Sequence, residues 1–301
     1  MSRDRPELLR QLVRLFRFYG NRKDDLIISD NSSTLANIRA VKDICAEHEC
    51  ILWENRNLTV ASHYHRILSS IDYEYLTVIH DDDLIMPGYL SAVESQLCNG
   101  GTFSVVGYNA LTFQAPIGSR YLGEIKCSGR RTLNEASEVL ITEPLELLLR
   151  WVSPFCNGIA PLSGCTFNLK FYDKCFYDIY SSAELYFDTV LMMLFSEKAP
   201  IKWLAERTMI LLREHDSRLT SIASVHDEIV FADTALTHFS RYWKIYPILK
   251  FYLYARRCKR KCCSPLEELL NYVRYFVFLI MCLFIWPERI PRLLRFKLAI
   301  K

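Results

Sequence analysis

Several features are scarce or missing in this 301-residue chain. It has no low-complexity tract and no internal repeat, which excludes solenoid and disordered classes. Its longest clean apolar run, Tyr275 to Trp286, is twelve residues, short of the roughly 20 that span a bilayer. Eleven cysteines are present, an odd number. None forms a Cys-x-x-Cys pair; the nearest groupings are Cys45/Cys50 and Cys258/Cys262/Cys263, and no His/Cys spacing suggests a zinc site. The N-terminus, MSRDRPELL, is charged and enters a helix at once, so it does not read as a signal peptide. Reduced thiols in a cytoplasmic protein fit this pattern.

Half of the residues are hydrophobic, ample for a core. The net charge of +3 conceals an asymmetry, because residues 241–301 carry 14 Lys or Arg against 3 acids while the first 240 carry 23 against 31. That split describes an acidic-to-neutral body with a basic, apolar tail, and argues against a nucleic-acid binder.

The densest chemistry lies in Tyr75 to Pro87, YLTVIHDDDLIMP. Leu76 to His80 read as a short buried strand running into Asp81, Asp82 and Asp83. Adjacent carboxylates repel one another, and a hard divalent cation such as Mg²⁺ or Mn²⁺ removes that objection. In open α/β sheets, ligands bind beyond the carboxyl ends of strands. A solvated acidic turn before a helix N-terminus explains the same residues without a ligand.

Ahead of this stretch, Asp4 to Gly20 has one apolar face (Leu8, Leu12 and Phe16 with Leu9, Val13 and Tyr19), and Asp4 with Glu7 has capping-box spacing. A strand at Leu26 to Ser29 breaks into Asp30-Asn31-Ser32-Ser33, placing Asp30 on the sheet's carboxyl edge; an Asx-turn accounts for it equally. A helix around Leu35 to His48, a strand at Cys50 to Trp53, a helix from about Thr59 to Ile71 and a strand at Phe103 to Tyr108 complete a helix–strand alternation. It predicts a mostly parallel sheet over residues 1–110. Such sheets ordinarily open with a strand; none precedes the first helix, though its following loop, Ser2 to Pro6, is present.

Taken in order, R-P-E-L-L, a strand with S-D-N-S-S, N-R-N-L, and a strand with H-D-D-D-L-I-M-P-G-Y-L resemble a family-two glycosyltransferase of the GT-A fold. The resemblance implies a nucleotide-sugar donor, with UDP, dTDP or GDP as carrier. It implies that Asp30 and the loop carrying Arg5 hold the nucleotide. Asp82 would be the principal metal ligand, supported by Asp81 and Asp83. His80 stands where the family more often has the first Asp of its D-x-D element; a neutral imidazole can donate a hydrogen bond or ligate.

The second half, residues 111–224, would form the acceptor side. Ser119 to Lys126 is strand-like, Leu145 to Trp151 is an apolar helix, and Trp151 to Asn168 reads as an irregular loop. Ser182 to Leu194 predicts a helix whose start carries Glu184 and Asp188. The resemblance implies a carboxylate there that deprotonates the acceptor hydroxyl. Asp188 matches best, with Glu184 as second candidate because Phe187 replaces the Glu of the usual Glu-Asp pair. Dipole complementation at a helix start is the bland alternative. Strands at Ile201 to Leu204 and Thr208 to Leu212 lead to Arg213-Glu214-His215-Asp216-Ser217-Arg218. This resembles the family's late R-x-H-x-x-S element, implying His215 on the metal and Arg213 or Arg218 on phosphate; a solvated loop His is the alternative.

Beyond residue 225 the resemblance fades. Arg256 to Cys263 has five positive charges in eight residues, and Pro291 to Lys301 is basic and amphipathic. These read as an in-plane anchor on the inner face of a membrane, or else as helices packed on the body. The expectation is a metal-dependent, inverting glycosyltransferase, peripheral on the cytoplasmic membrane face, building a surface polysaccharide on a saccharide or lipid-linked acceptor. An inactive scaffold of the same fold and a nucleotidyltransferase are the rivals.

Overall fold

The computed structural model describes residues 1–19, 26–98, 102–114, 126–131, 138–152, 162–213 and 225–239, with four more between 273 and 280. Helix α1 (Pro6–Tyr19) buries the apolar face expected of it, with Leu9 and Val13 each 1% exposed. Burial of this kind is worth roughly 1.5–3 kcal/mol per side chain. Asp4 does not cap α1. Its φ of 56° turns the carboxylate towards the next loop, where it accepts from Ser33 N and Oγ (both 2.8 Å) and from Asn37 Nδ2 (3.0 Å).

Strand β1 (Ile27–Asp30) leads to α2 (Leu35–Glu47), β2 (Ile51–Glu54) and α3 (Val60–Ser70). Thr34 and Thr59 cap α2 and α3 by accepting from Asn37 N and Ser62 N. Next come β3 (Tyr75–Val78), a two-residue β4 (Leu84–Ile85), α4 (Tyr89–Cys98) and β5 (Val105–Gln114). The second half supplies β6 (Lys126–Arg131), β7 (Glu138–Ile141), α5 (Pro144–Val152), β8 (Cys165–Asn168), α6 (Phe176–Tyr180), α7 (Phe187–Lys198), β9 (Ile201–Arg213) and α8 (Val225–His238).

The α/β class, a sheet flanked by helices, is as the sequence predicts, but the sheet is mixed rather than mostly parallel. β1 pairs β2 in parallel and β5 pairs β9 in parallel. The larger sheet, in order β3-β8-β5-β9-β4 with β6 on β5 and β7 on β9, is otherwise antiparallel. The reason lies in the second half. β8 lies between β3 and β5 and runs against both. The stretch expected to be irregular thus ends in a strand, and the two strands expected at 201–204 and 208–212 are one, with register shifts at Tyr108/Asn109 and Asn109/Ala110 of its partner. β5 itself runs through residues 110 and 111, so both halves share one sheet.

Met1 and Ser2 join the two sheets. Ser2 bridges Asp30 in parallel, its N donating to Ser29 O (2.9 Å) and its carbonyl accepting from Asn31 N (2.9 Å). Met1 N donates to Ile79 O (2.8 Å), and Met1 O accepts from Asp81 N (3.0 Å). These two residues therefore lie between the end of β1 and the residues following β3. One core lies beneath α3, α5, α6, α7 and α8, where Phe167, Phe195 and Phe231 are wholly buried. A second lies under α1 and α4, around Ile85, Tyr89 and Ile210. Among the described residues no helix is long and apolar enough to cross a membrane.

Candidate functional site

The residues after β3 gather charge from distant parts of the chain. Asp81 is buried; its carboxylate accepts from Arg3 N (3.1 Å) and pairs with Arg5 Nη2 (2.6 Å). Arg5 Nη1 reaches Asp82 Oδ2 at 2.5 Å. Asp83 Oδ1 accepts from Arg213 N (3.3 Å), while the Arg213 guanidinium donates to the Asp82 carbonyl (3.4 Å) and to Gln11 Oε1 (2.8 Å). Burial pushes the Asp81 carboxyl upward against the pull of Arg5. Burial opposes the charge on Arg5, but Asp81 and Asp82 more than offset it and raise its pKa. Arg5, Asp81, Asp82, Asp83 and Arg213 are thus one network.

His80 belongs to the same cluster. Its N–H donates to Ser163 Oγ (3.0 Å), its Nε2 meets Tyr64 Oη at 2.6 Å, and its Nδ1 faces Asp83 Oδ2 at 3.9 Å. Burial drives the imidazole down to about 4, with Asp82 opposing. One ligand atom each from His80, Asp82 and Asp83 lie within 4.8 Å of one another. Two carboxylate oxygens and one imidazole nitrogen form a donor set that suits a borderline-to-hard divalent cation. The residues present therefore fit a metal. His215 and Arg218 lie outside the described residues.

At the end of β1, Asp30 is 1% exposed. Its Oδ1 accepts from Ser32 Oγ (2.7 Å) and Ser32 N (3.3 Å), and its Oδ2 lies 3.7 Å from Arg56 Nη1. Burial raises its pKa. Beneath it, Ser29 Oγ meets His63 Nε2 at 2.7 Å and accepts from Asn55 Nδ2 at 2.9 Å, with burial pushing His63 down to about 3. Arg56, in the N-R-N-L stretch, was not predicted as a site residue. The parallel register Asp30↔Glu54 puts it two residues past Asp30's partner, a signal available once the pairing is known. Met1 to Arg5 tie the two strand ends together.

Asp188 is the second residue of α7, which begins at Phe187 after a 3-10 stretch, Ser181–Tyr186, that carries Glu184. The expected helix from Ser182 therefore starts later, and the Glu184 side chain lies outside those described. Asp188 is half-buried; its Oδ1 accepts from Thr189 N (2.7 Å) and Thr189 Oγ1 (3.3 Å). Burial pushes its carboxyl upward. The charge of Asp188 is felt by Tyr64 and Cys165, both also pushed up by burial. Phe187 packs on Tyr64 with ring centroids 5.2 Å apart. Tyr64, wholly buried on α3, therefore stands between the start of α7 and His80. Nothing in the sequence singled it out.

No family model and no curated protein matches the chain. Among solved structures it is similar to S. aureus TarS 1–349 in complex with UDP-GlcNAc, at 15% identity and TM-score 0.49, covering 91% of this chain and 76% of that one. Of a longer S. aureus TarS chain it covers 42%. It is also similar to the mannosyltransferase PcManGT from Pyrobaculum calidifontis in complex with GDP-Man and Mn²⁺, at 13% identity and TM-score 0.45, over 99% of this chain and 77% of that one. A third is glucosyl-3-phosphoglycerate synthase from Mycobacterium tuberculosis in complex with UDP, at 16% identity and TM-score 0.42, over 78% and 76%. At such identities and scores the chemistry has to be read from the chain's own residues.

Proposed function

We propose that this chain is a metal-dependent glycosyltransferase using a nucleotide-sugar donor. The observation that carries the reading is a convergence where the two sheets meet. The His80–Asp82–Asp83 donor set lies between Asp30, reached through Met1 and Ser2, and, through Tyr64, the start of α7 with Asp188. The motif order in the sequence supports the same class. Asp30 and Arg56 would hold the base or ribose side. Asp82 and Asp83 would hold Mg²⁺ or Mn²⁺, whose charge stabilises the departing nucleoside diphosphate. Arg5 and Arg213, with Arg218 and His215 from the sequence that follows, would face phosphate.

Asp188 acts as general base. Its raised carboxyl suits proton uptake nearer neutral pH than an exposed Asp would allow. The acceptor oxygen forms a bond to the anomeric carbon, that carbon's bond to the diphosphate oxygen breaks, and the nucleoside diphosphate leaves with the electron pair. The hydroxyl proton passes to Asp188. One displacement inverts the anomeric centre. The basic, apolar sequence beyond residue 240 supports a place on the cytoplasmic face of a membrane and a saccharide or lipid-linked acceptor, in surface-polysaccharide synthesis.

Product analysis with UDP-, dTDP- and GDP-sugars tests the class. Free nucleoside diphosphate is expected; pyrophosphate would indicate a nucleotidyltransferase, and absence of nucleotide binding an inactive scaffold. Asp188→Asn should lower transfer by about 10²–10⁴-fold with nucleotide affinity unchanged. Transfer near wild type would remove Asp188 from the role of base.

A further inference from the structure

The geometry points to a nitrogen-ligated metal centre in which His80 Nδ1 binds the ion beside Asp82 and Asp83, held in the required tautomer and orientation by Tyr64. The inference rests on the metal-dependent reading above and goes past it in fixing the ligating nitrogen of His80 and naming a positioning residue.

The argument begins with proton inventory. A neutral imidazole carries one ring hydrogen. His80 Nε2 and Tyr64 Oη are 2.6 Å apart, so one hydrogen lies between them, donated either by the phenol to Nε2 or by Nε2–H to the phenol oxygen. His80 Nδ1 and Asp83 Oδ2 are 3.9 Å apart, too far for a hydrogen bond. A hydrogen on Nδ1 would therefore point at Asp83 without reaching it. A cation at Nδ1 selects the second arrangement, in which the ring hydrogen sits on Nε2, is donated to the phenol oxygen, and leaves the Nδ1 lone pair facing the carboxylate. A gap of 3.9 Å between two lone-pair atoms is one that a cation about 2.1 Å from each can bridge. The backbone N–H of His80 is fixed on Ser163 Oγ (3.0 Å), and Tyr64 is itself wholly buried and packed on Phe187, so the His80 backbone and the far ring nitrogen are each anchored.

The chemical consequence is metal preference. An all-oxygen site accepts Mg²⁺ readily, whereas an imidazole nitrogen favours Mn²⁺, Co²⁺ or Zn²⁺. The partner on the far ring nitrogen fixes the ring and raises its basicity, and loss of such a partner typically costs 10–100-fold in metal affinity. Tyr64 supplies that partner here.

Pulsed EPR of Mn²⁺ bound to the full chain in the presence of UDP reads the ligand without reference to turnover. Nitrogen modulation is expected in the wild type, absent in His80→Asp and retained in His215→Ala. Calorimetry with Mn²⁺ and with Mg²⁺ reads Tyr64, and Tyr64→Phe should lower the Mn²⁺-to-Mg²⁺ affinity ratio by about tenfold. A merely structural loss would weaken both ions alike and leave that ratio unchanged. Bound Mn²⁺ without nitrogen modulation, or modulation that survives in His80→Asp, overturns the inference and leaves the metal-dependent reading standing. An unchanged ratio in Tyr64→Phe removes Tyr64 from it. Failure of the folded wild-type protein to bind Mn²⁺ at all overturns both the inference and the reading beneath it.

Discussion

β1 and β3 each lead into buried aspartates, and the charges at the two places are met differently. Asp30, at the end of β1, takes two hydrogen bonds from Ser32, two residues away, with Arg56 3.7 Å off. Asp81, Asp82 and Asp83, after β3, draw on Arg5, 77 residues from Asp82, and on Arg213, 130 residues from Asp83. A carboxylate satisfied by its own turn is stable with or without a ligand. In the second group the paired cation is Arg5, on Asp81 and Asp82, while Arg213 serves Asp83 through its backbone N–H.

The contrast can be broken at its cations. Arg5→Ala leaves Asp81 buried without its guanidinium. Breaking a buried pair costs about 3–5 kcal/mol; with the Arg5 side chain 37% exposed, a loss of about 2–3 kcal/mol is expected by denaturant titration. Mn²⁺ should recover more stability in this variant than in the wild type, because the ion takes over the missing counter-charge. An equal Mn²⁺ effect in both would separate Arg5 from the metal site. His63, beneath Asp30, gives the next largest effect. It stays neutral in the fold down to about 3, while the unfolded chain takes up a proton below about 6.5. The unfolded state thus binds more protons on acidification, and stability falls by about 2 kcal/mol between pH 7 and 5 from this group alone. Raised carboxyls such as Asp30 and Asp188 act in the opposite sense, so the comparison is between wild type and His63→Gln. The variant should lose stability less steeply over that range, and parallel curves would contradict a neutral buried His63. Smallest of all, Arg56→Ala should change stability by no more than about 0.5 kcal/mol, with no Mn²⁺ dependence, since its pair with Asp30 is long and its side chain 35% exposed.

Local patterning made much of this legible. The apolar face of α1, the helices beginning near Leu35 and Thr59, and the Asp-bearing ends of β1 and β3 follow from short-range rules, and the structure places them near their expected positions. Asp4 read as a helix cap because Glu7 lies three residues on, yet its carboxylate serves Ser33 and Asn37, a tertiary choice that spacing cannot show. The mixed sheet was hidden for a similar reason. β8 emerges from a stretch rich in Pro, Gly and Ser, and its antiparallel insertion between β3 and β5 depends on long-range pairing. Within the site, the acids announced themselves by adjacency. Tyr64 sits in an ordinary amphipathic helix, and only the approach of α3 to His80 gives it a task.

The most direct test of the account is calorimetric titration of UDP, dTDP and GDP into the purified full chain with and without Mn²⁺, repeated with Asp82→Asn. The account predicts binding of one nucleotide that is strengthened by Mn²⁺, with the metal's contribution lost in Asp82→Asn. Nucleotide binding that ignores both Mn²⁺ and the Asp82 substitution, or no binding by the folded protein, would contradict it.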